Sequence, residues 1–80
     1  MSSVHPPLTC KHVKQILSSL GFKFREQKGS HEQWVKIADG KLFKVTVDCP
    51  KAPFSPDLIN SMSKQAGVSK KAFYAALKNS

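Results

Sequence analysis

Two periodicities divide this chain. Val13, Ile16, Leu17 and Leu20 recur at helical spacing and predict one apolar face on a helix that starts after Thr9 and stops at Gly21. Thr9 is a good N-cap, Leu8 before it can staple onto Val13, and Gly21 supplies a left-handed stop. Leu58, Ile59, Met62 and Ala66 repeat the pattern, with Ser55 as cap, Pro56 at the first helical position, Phe54 stapling onto Ile59 and Gly67 as stop. A third, shorter stretch uses Ser69 as cap and Val68 against Phe73, with an apolar edge of Phe73, Ala76 and Leu77.

Between the first two helices the period falls to two, which predicts strands. Over residues 22–27, Phe22 and Phe24 alternate with Lys23, Arg25 and Gln27. Over roughly 33–37, Val35 and Ile37 share one face while Trp34 and Lys36 share the other. Over 42–47, Phe43, Val45 and Val47 point inward and Lys44 and Thr46 outward. Asp39-Gly40 is a strong hairpin signal between the last two. Residues 48–54 hold Pro50 and Pro53 and predict an irregular connection. The order is therefore α-β-β-β-α-α. It predicts an α+β fold in which helices pack on one face of a three-stranded antiparallel meander, the order also found in double-stranded-RNA-binding domains. All five phenylalanines, Phe22, Phe24, Phe43, Phe54 and Phe73, read as core, and the strand alternation puts Lys23, Arg25, Trp34, Lys36 and Lys44 on an open face. Residues 1–8, polar and with Pro6-Pro7, predict a flexible arm ahead of a single domain over 9–80.

Charge sharpens this picture. Thirteen Lys and Arg stand against five Asp and Glu, a net +8 on 80 residues. Such an excess favours polyanions, with nucleic acid first, and an acidic protein that masks the same surface is compatible with it. Cys10 and Cys49 are too few for the disulfide framework of a small secreted domain, and Cys10 and His12 have no second pair to complete a zinc site. Free thiols are expected. Residues 1–8 lack the apolar stretch of a signal peptide, and no run is long enough to span a bilayer, so a cytoplasmic protein is expected. The carboxylates Glu26, Glu32, Asp39, Asp48 and Asp57 are scattered, with no recognisable two-metal cluster, and no phosphate-binding Gly-rich loop precedes a Lys-Ser or Lys-Thr. Neither metal nor cofactor is expected.

The candidate chemistry lies in Lys28-Gly29-Ser30-His31, a turn between the first two strands. Metal-free RNA cleavage needs a group to take the 2′-OH proton, a group to stabilise charge on the phosphorane-like transition state, and a proton for the departing 5′-oxygen. Histidine suits the first or third task because its ordinary pKa of about 6.5 lies near working pH. Lysines and backbone N–H groups suit the second, so Lys28, Gly29 and Ser30 are placed to touch the same phosphate. Lys23, Arg25, Lys36 and Lys44 form a possible phosphate track, and Trp34 a possible stacking platform. His12 reads as a helix-surface residue, and His5 receives no role. Three readings stay open on the residues alone: a ribonuclease, a non-catalytic RNA-binding domain, and a domain that binds an acidic protein.

A resemblance separates them. Leu20-Gly21-Phe22 closing a helix, then Lys28-Gly29-Ser30-His31, two further strands, and Gln65-Ala66-Gly67-Val68 closing a second helix resemble, in that order, the HicA toxin family over about residues 9–75. The resemblance implies a double-stranded-RNA-binding-like fold, one essential histidine at His31, cleavage of mRNA, and inhibition by a HicB-type antitoxin. One departure stands out. Many relatives carry a Pro-x-His shortly after the third strand, where this chain has Asp48-Cys49-Pro50-Lys51-Ala52. That leaves His31 as the sole histidine in the mechanism, with water, Lys28 or Lys51 to serve the leaving group, and it keeps an inactive RNA-binding relative as the alternative.

Overall fold

The computed structural model describes residues 7–78. Helix α1 (Cys10–Ser19) leads into strands β1 (Lys23–Lys28), β2 (His31–Ala38) and β3 (Lys41–Asp48); a 3₁₀ turn (Cys49–Lys51) follows, then α2 (Pro56–Gln65) and α3 (Lys70–Lys78). This is the expected α-β-β-β-α-α order, with one antiparallel sheet in the order β1-β2-β3. The helix starts are built as their sequences predict. The Thr9 hydroxyl accepts from the His12 N–H, and the His12 ring accepts in return from the Thr9 N–H, closing a capping box. Ser55 and Ser69 accept from the N–H groups of Leu58 and Ala72. Gly67, which follows α2, has φ +77, and a Cβ there would stand 2.7 Å from the Phe43 ring. The stop residue is thus also a point where the backbone after α2 lies against the Phe43 ring of β3 with no room for a side chain.

The core gathers one stripe of each helix under one face of the sheet: Val13, Ile16 and Leu17 from α1, Ile59 and Met62 from α2, Phe73 and Ala76 from α3, and Trp34, Val45 and Val47 from the strands. Leu8 belongs to it as well. Placed by its sequence in a loose arm, it is buried, and its carbonyl accepts from the Phe54 N–H at 2.8 Å. Pro7 before it is exposed, and residues 1–6 of that expected arm lie outside the described residues.

Two expected strand faces are corrected by the register. The Asp39-Gly40 turn pairs Ala38 with Lys41, and the ladder continues through Lys36–Phe43, Trp34–Val45 and Glu32–Val47. Paired residues share a face, so Trp34 and Lys36 lie on the helix-covered side with Val45, and Val35 and Ile37 on the open side with Lys44 and Leu42. Trp34 is buried, whereas Ile37 is 76 % exposed. Lys36 sits with its Nζ 5.7 Å from the Phe22 ring centroid and so is not part of a track with Lys44. In β1 the register shifts between Phe24 and Glu26, so Arg25 occupies a bulge. Phe24, expected in the core, is exposed at the sheet edge with its ring edge-on to Trp34.

The cysteines also depart from expectation. Cys10 opens α1 and Cys49 follows β3, their Cα atoms are 5.2 Å apart, and the two are joined as a disulfide. Helix and strand ends meet here because Leu8 and Phe54 bridge beside them. Under the same junction lies Glu32, the one buried acid among the described residues, whose carboxylate pairs with Lys14 at 2.8 Å and accepts from Trp34 Nε1 at 3.2 Å.

Candidate active site

His31 is the first residue of β2, one step past a turn in which Gly29 has φ +59, a left-handed conformation that suits glycine. The two ladders decide its neighbours. Lys28 pairs with His31 across β1–β2, and His31 pairs with Asp48 across β2–β3. Because paired residues project on the same side, Lys28, His31 and Asp48 form one row across all three strands. The row lies on the face opposite Glu32 and Trp34, away from the helices. The next row is Glu26, Gln33 and Thr46, and the one after is Lys23, Val35 and Lys44.

The centre of the site is a hydrogen-bonded trio. Asp48 Oδ2 lies 3.2 Å from His31 Nε2, and Asp48 Oδ1 accepts from the Ser30 hydroxyl at 3.0 Å. A carboxylate only accepts, so this bond assigns the ring hydrogen to Nε2, and the tautomer that makes it has Nδ1 bare. The His31 side chain is 53 % exposed and that of Asp48 21 %, so a substrate can reach the ring while the carboxylate stays partly shielded behind it. Lys28 is freely exposed, in loose contact with Glu26 at 3.8 Å. On the far side of the turn the Gln27 amide donates to the Gly29 carbonyl at 2.9 Å, which fixes the turn from within β1.

Of the residues singled out from the sequence, Lys28, Gly29, Ser30 and His31 come together, and Lys23 and Lys44 lie two rows away on the same face. Arg25 stands at the bulge, and Trp34 and Lys36 lie on the other face. Sequence reasoning missed Asp48. The signal was present: a two-residue Asp-Gly turn fixes the β2–β3 register, and counting back from Ala38–Lys41 brings Asp48 opposite His31. Among the described residues, the group with metal-ligand geometry is Cys10, Glu32 and Cys49, whose donor atoms lie within 4.8 Å of one another. Glu32 is on the helix-covered face, the two sulfurs are bonded to each other, and the carboxylate is taken by Lys14, so this group stands apart from His31. No helix among the described residues is long and apolar enough to cross a membrane.

Comparison with known proteins fits this geometry. Residues 10–68 match the family described as HicA toxin of bacterial toxin-antitoxin systems. The matched span contains the whole sheet, the His31 turn, Asp48 and all of α2. The chain has no significant match among curated proteins or solved structures.

Proposed function

From the premise that this chain belongs to the HicA toxins of bacterial toxin–antitoxin systems, we propose that it is a metal-independent endoribonuclease that cuts mRNA at His31 and is held inactive by a HicB-type antitoxin. The observation that carries the reading is the row Lys28–His31–Asp48, with Ser30 bonded to the same carboxylate, on the open face of a basic domain.

The chemistry assigns each residue a task. With Nε2–H held by Asp48, His31 Nδ1 takes the proton of a ribose 2′-OH. The 2′-oxygen attacks the adjacent phosphorus, the bond from phosphorus to O5′ breaks, and the products are a 2′,3′-cyclic phosphate and a 5′-OH end. Charge on the phosphorane-like transition state falls beside Lys28 and the backbone N–H groups of the turn. The departing O5′ receives its proton from water or from a lysine, and Lys51, just beyond Asp48, is the lysine on that side. Asp48 is a positioning residue: it sets the ring's tautomer and orientation and exchanges no proton with the substrate. Lys23 and Lys44 extend the positive face along the strands for the flanking phosphates.

The test is a purified-protein assay on a defined mRNA in excess EDTA. The wild-type chain should cut and leave cyclic phosphate ends, while His31→Ala should bind the RNA and leave it intact. Binding without cleavage by the wild type would favour the non-catalytic domain, and activity restored only by added Mg²⁺ or Mn²⁺ would overturn the metal-independent mechanism.

A further inference from the structure

Beside the His31 row, between β3 and α2, the surface opens into a cavity of about 150 Å³. Its wall includes Asp48, whose carboxylate touches His31, so the cavity adjoins the reaction site. Leu58 and Met62 supply apolar surface, and Lys51, Ser61 and Gln65 stand around them. The Gln65 Oε1 is occupied by the Thr46 N–H at 3.3 Å, which leaves the amide NH₂ as that side chain's donor. Nothing in the catalytic role of His31 requires such a recess.

We propose that this cavity is a nucleotide subsite that takes one pyrimidine base of the RNA next to the cleaved phosphate. The proposal rests on the ribonuclease reading and specifies its substrate. Size comes first: about 150 Å³ is the volume that holds one six-membered ring such as benzene, so a pyrimidine fills this recess and the second ring of a purine would project from its open mouth. Chemistry agrees. Leu58 and the polarisable thioether of Met62 suit the flat faces of a ring. Uracil and cytosine both carry the O2 carbonyl, an acceptor for the Gln65 NH₂. Lys51 meets the phosphate of the same nucleotide. Position completes the case, because a base seated beside Asp48 holds its own ribose and phosphate over the adjacent His31. The subsite thus converts sequence-blind attraction to a basic face into a fixed offset between base and scissile bond.

Two measurements test it. First, cytidine 3′-monophosphate is titrated against His31→Ala protein and followed by NMR at the Met62 methyl and the Gln65 side-chain amide, with adenosine 3′-monophosphate in parallel. Cytidine should shift both signals. Ser61→Trp, which fills the cavity from an exposed helix position, and Gln65→Leu, which removes the donor at similar bulk, should each weaken binding by about tenfold, at unchanged fold by circular dichroism. Equal binding of both nucleotides, or shifts indifferent to both variants, overturns the subsite. Second, cut positions of wild-type protein are mapped on a random-sequence RNA. A pyrimidine should recur at one fixed offset, and Ser61→Trp should lose that preference while still cutting. Cutting without any preferred base refutes the subsite and leaves the ribonuclease standing. Cytidine binding at Met62 with no cutting by wild type refutes the ribonuclease and leaves the subsite standing.

Discussion

Substituting Asp48 in two ways separates positioning from mere support. In the wild type, Asp48 accepts from His31 Nε2–H at 3.2 Å and from Ser30 at 3.0 Å. Asp48→Ala removes the orienting bond and leaves the ring free to choose its tautomer. A hydrogen bond with a charged partner is worth about 1.5–3 kcal/mol. The His31 side chain is half exposed, so water competes and the lower end applies. At 1.36 kcal/mol per tenfold, Asp48→Ala should reduce kcat by about tenfold. Asp48→Asn should be worse, although it is the smaller change. Ser30 continues to donate to the amide oxygen, so the amide NH₂ faces His31. That forces Nε2 to become the acceptor and moves the ring hydrogen to Nδ1, the nitrogen the mechanism needs bare. The expected loss is on the order of a hundredfold, short of the roughly ten-thousandfold known for a buried triad aspartate because this ring is half exposed and can turn. The assay is single-turnover cleavage of a short fluorescent RNA, with KM and thermal midpoint measured alongside. In both variants kcat should fall while KM holds, and the midpoint, lowered by several degrees, should stay well above the assay temperature. If Asp48→Ala is as damaging as Asp48→Asn in folded protein, tautomer control is refuted. If neither affects kcat, Asp48 has no part in the reaction.

Further outcomes concern the faces of the sheet, the partner and the disulfide. Trp34→Ala should destabilise the domain by about 3–5 kcal/mol, a large part of the roughly 4–12 kcal/mol expected for a domain this size, whereas Ile37→Ser should alter stability by less than about 0.5 kcal/mol in urea unfolding; the reverse order would mean the β2 faces are misplaced. Charge reversal at Lys23 and Lys44 should slow association with an acidic antitoxin and flatten its salt dependence in stopped-flow mixing, since steering by exposed charges acts on the on-rate; an unchanged rate would place the antitoxin elsewhere. Reductant should lower the thermal midpoint by up to roughly 15–30 °C, because the disulfide closes a 39-residue separation and such loops contribute up to about 4 kcal/mol by chain entropy; the Cys10→Ser, Cys49→Ser double variant should show no such response.

The helices were legible in the sequence because their ends are written in local chemistry. Thr9, Ser55 and Ser69 each cap a helix through contacts within three residues, and no distant part of the fold enters. The His31 turn was legible for the same reason. The faces of β2 were not, because that strand carries apolar residues on both parities, Trp34 on one and Val35 and Ile37 on the other. Helices cover only one face, and the choice was made by β3, where Val45 and Val47 are buried and bring Trp34 and Glu32 with them. Burying Glu32 is tolerable because Lys14 arrives from α1 to pair with it beside the Trp34 N–H, a contact between residues far apart in the chain. Asp48 escaped notice for a related reason. As a lone acid before a Pro-containing loop it carries no motif, and its role exists only through the pairing that sets it opposite His31.

The bulge at Arg25 says something about how this strand tolerates length. Phe24 pairs with Trp34 and Glu26 with Gln33, so the residues on either side of Arg25 already face consecutive partners. Arg25 is therefore supernumerary: a chain one residue shorter there would run straight through, with Phe24 still beside the tryptophan and Lys28 still beside the histidine. Insertions and deletions within a strand ordinarily turn every later side chain over. Here the deletion would be silent for both the core and the reacting row, and would remove only a positive charge from the rim of the sheet. The His31 turn and the aromatic edge can thus come one residue closer along the chain without either losing its place.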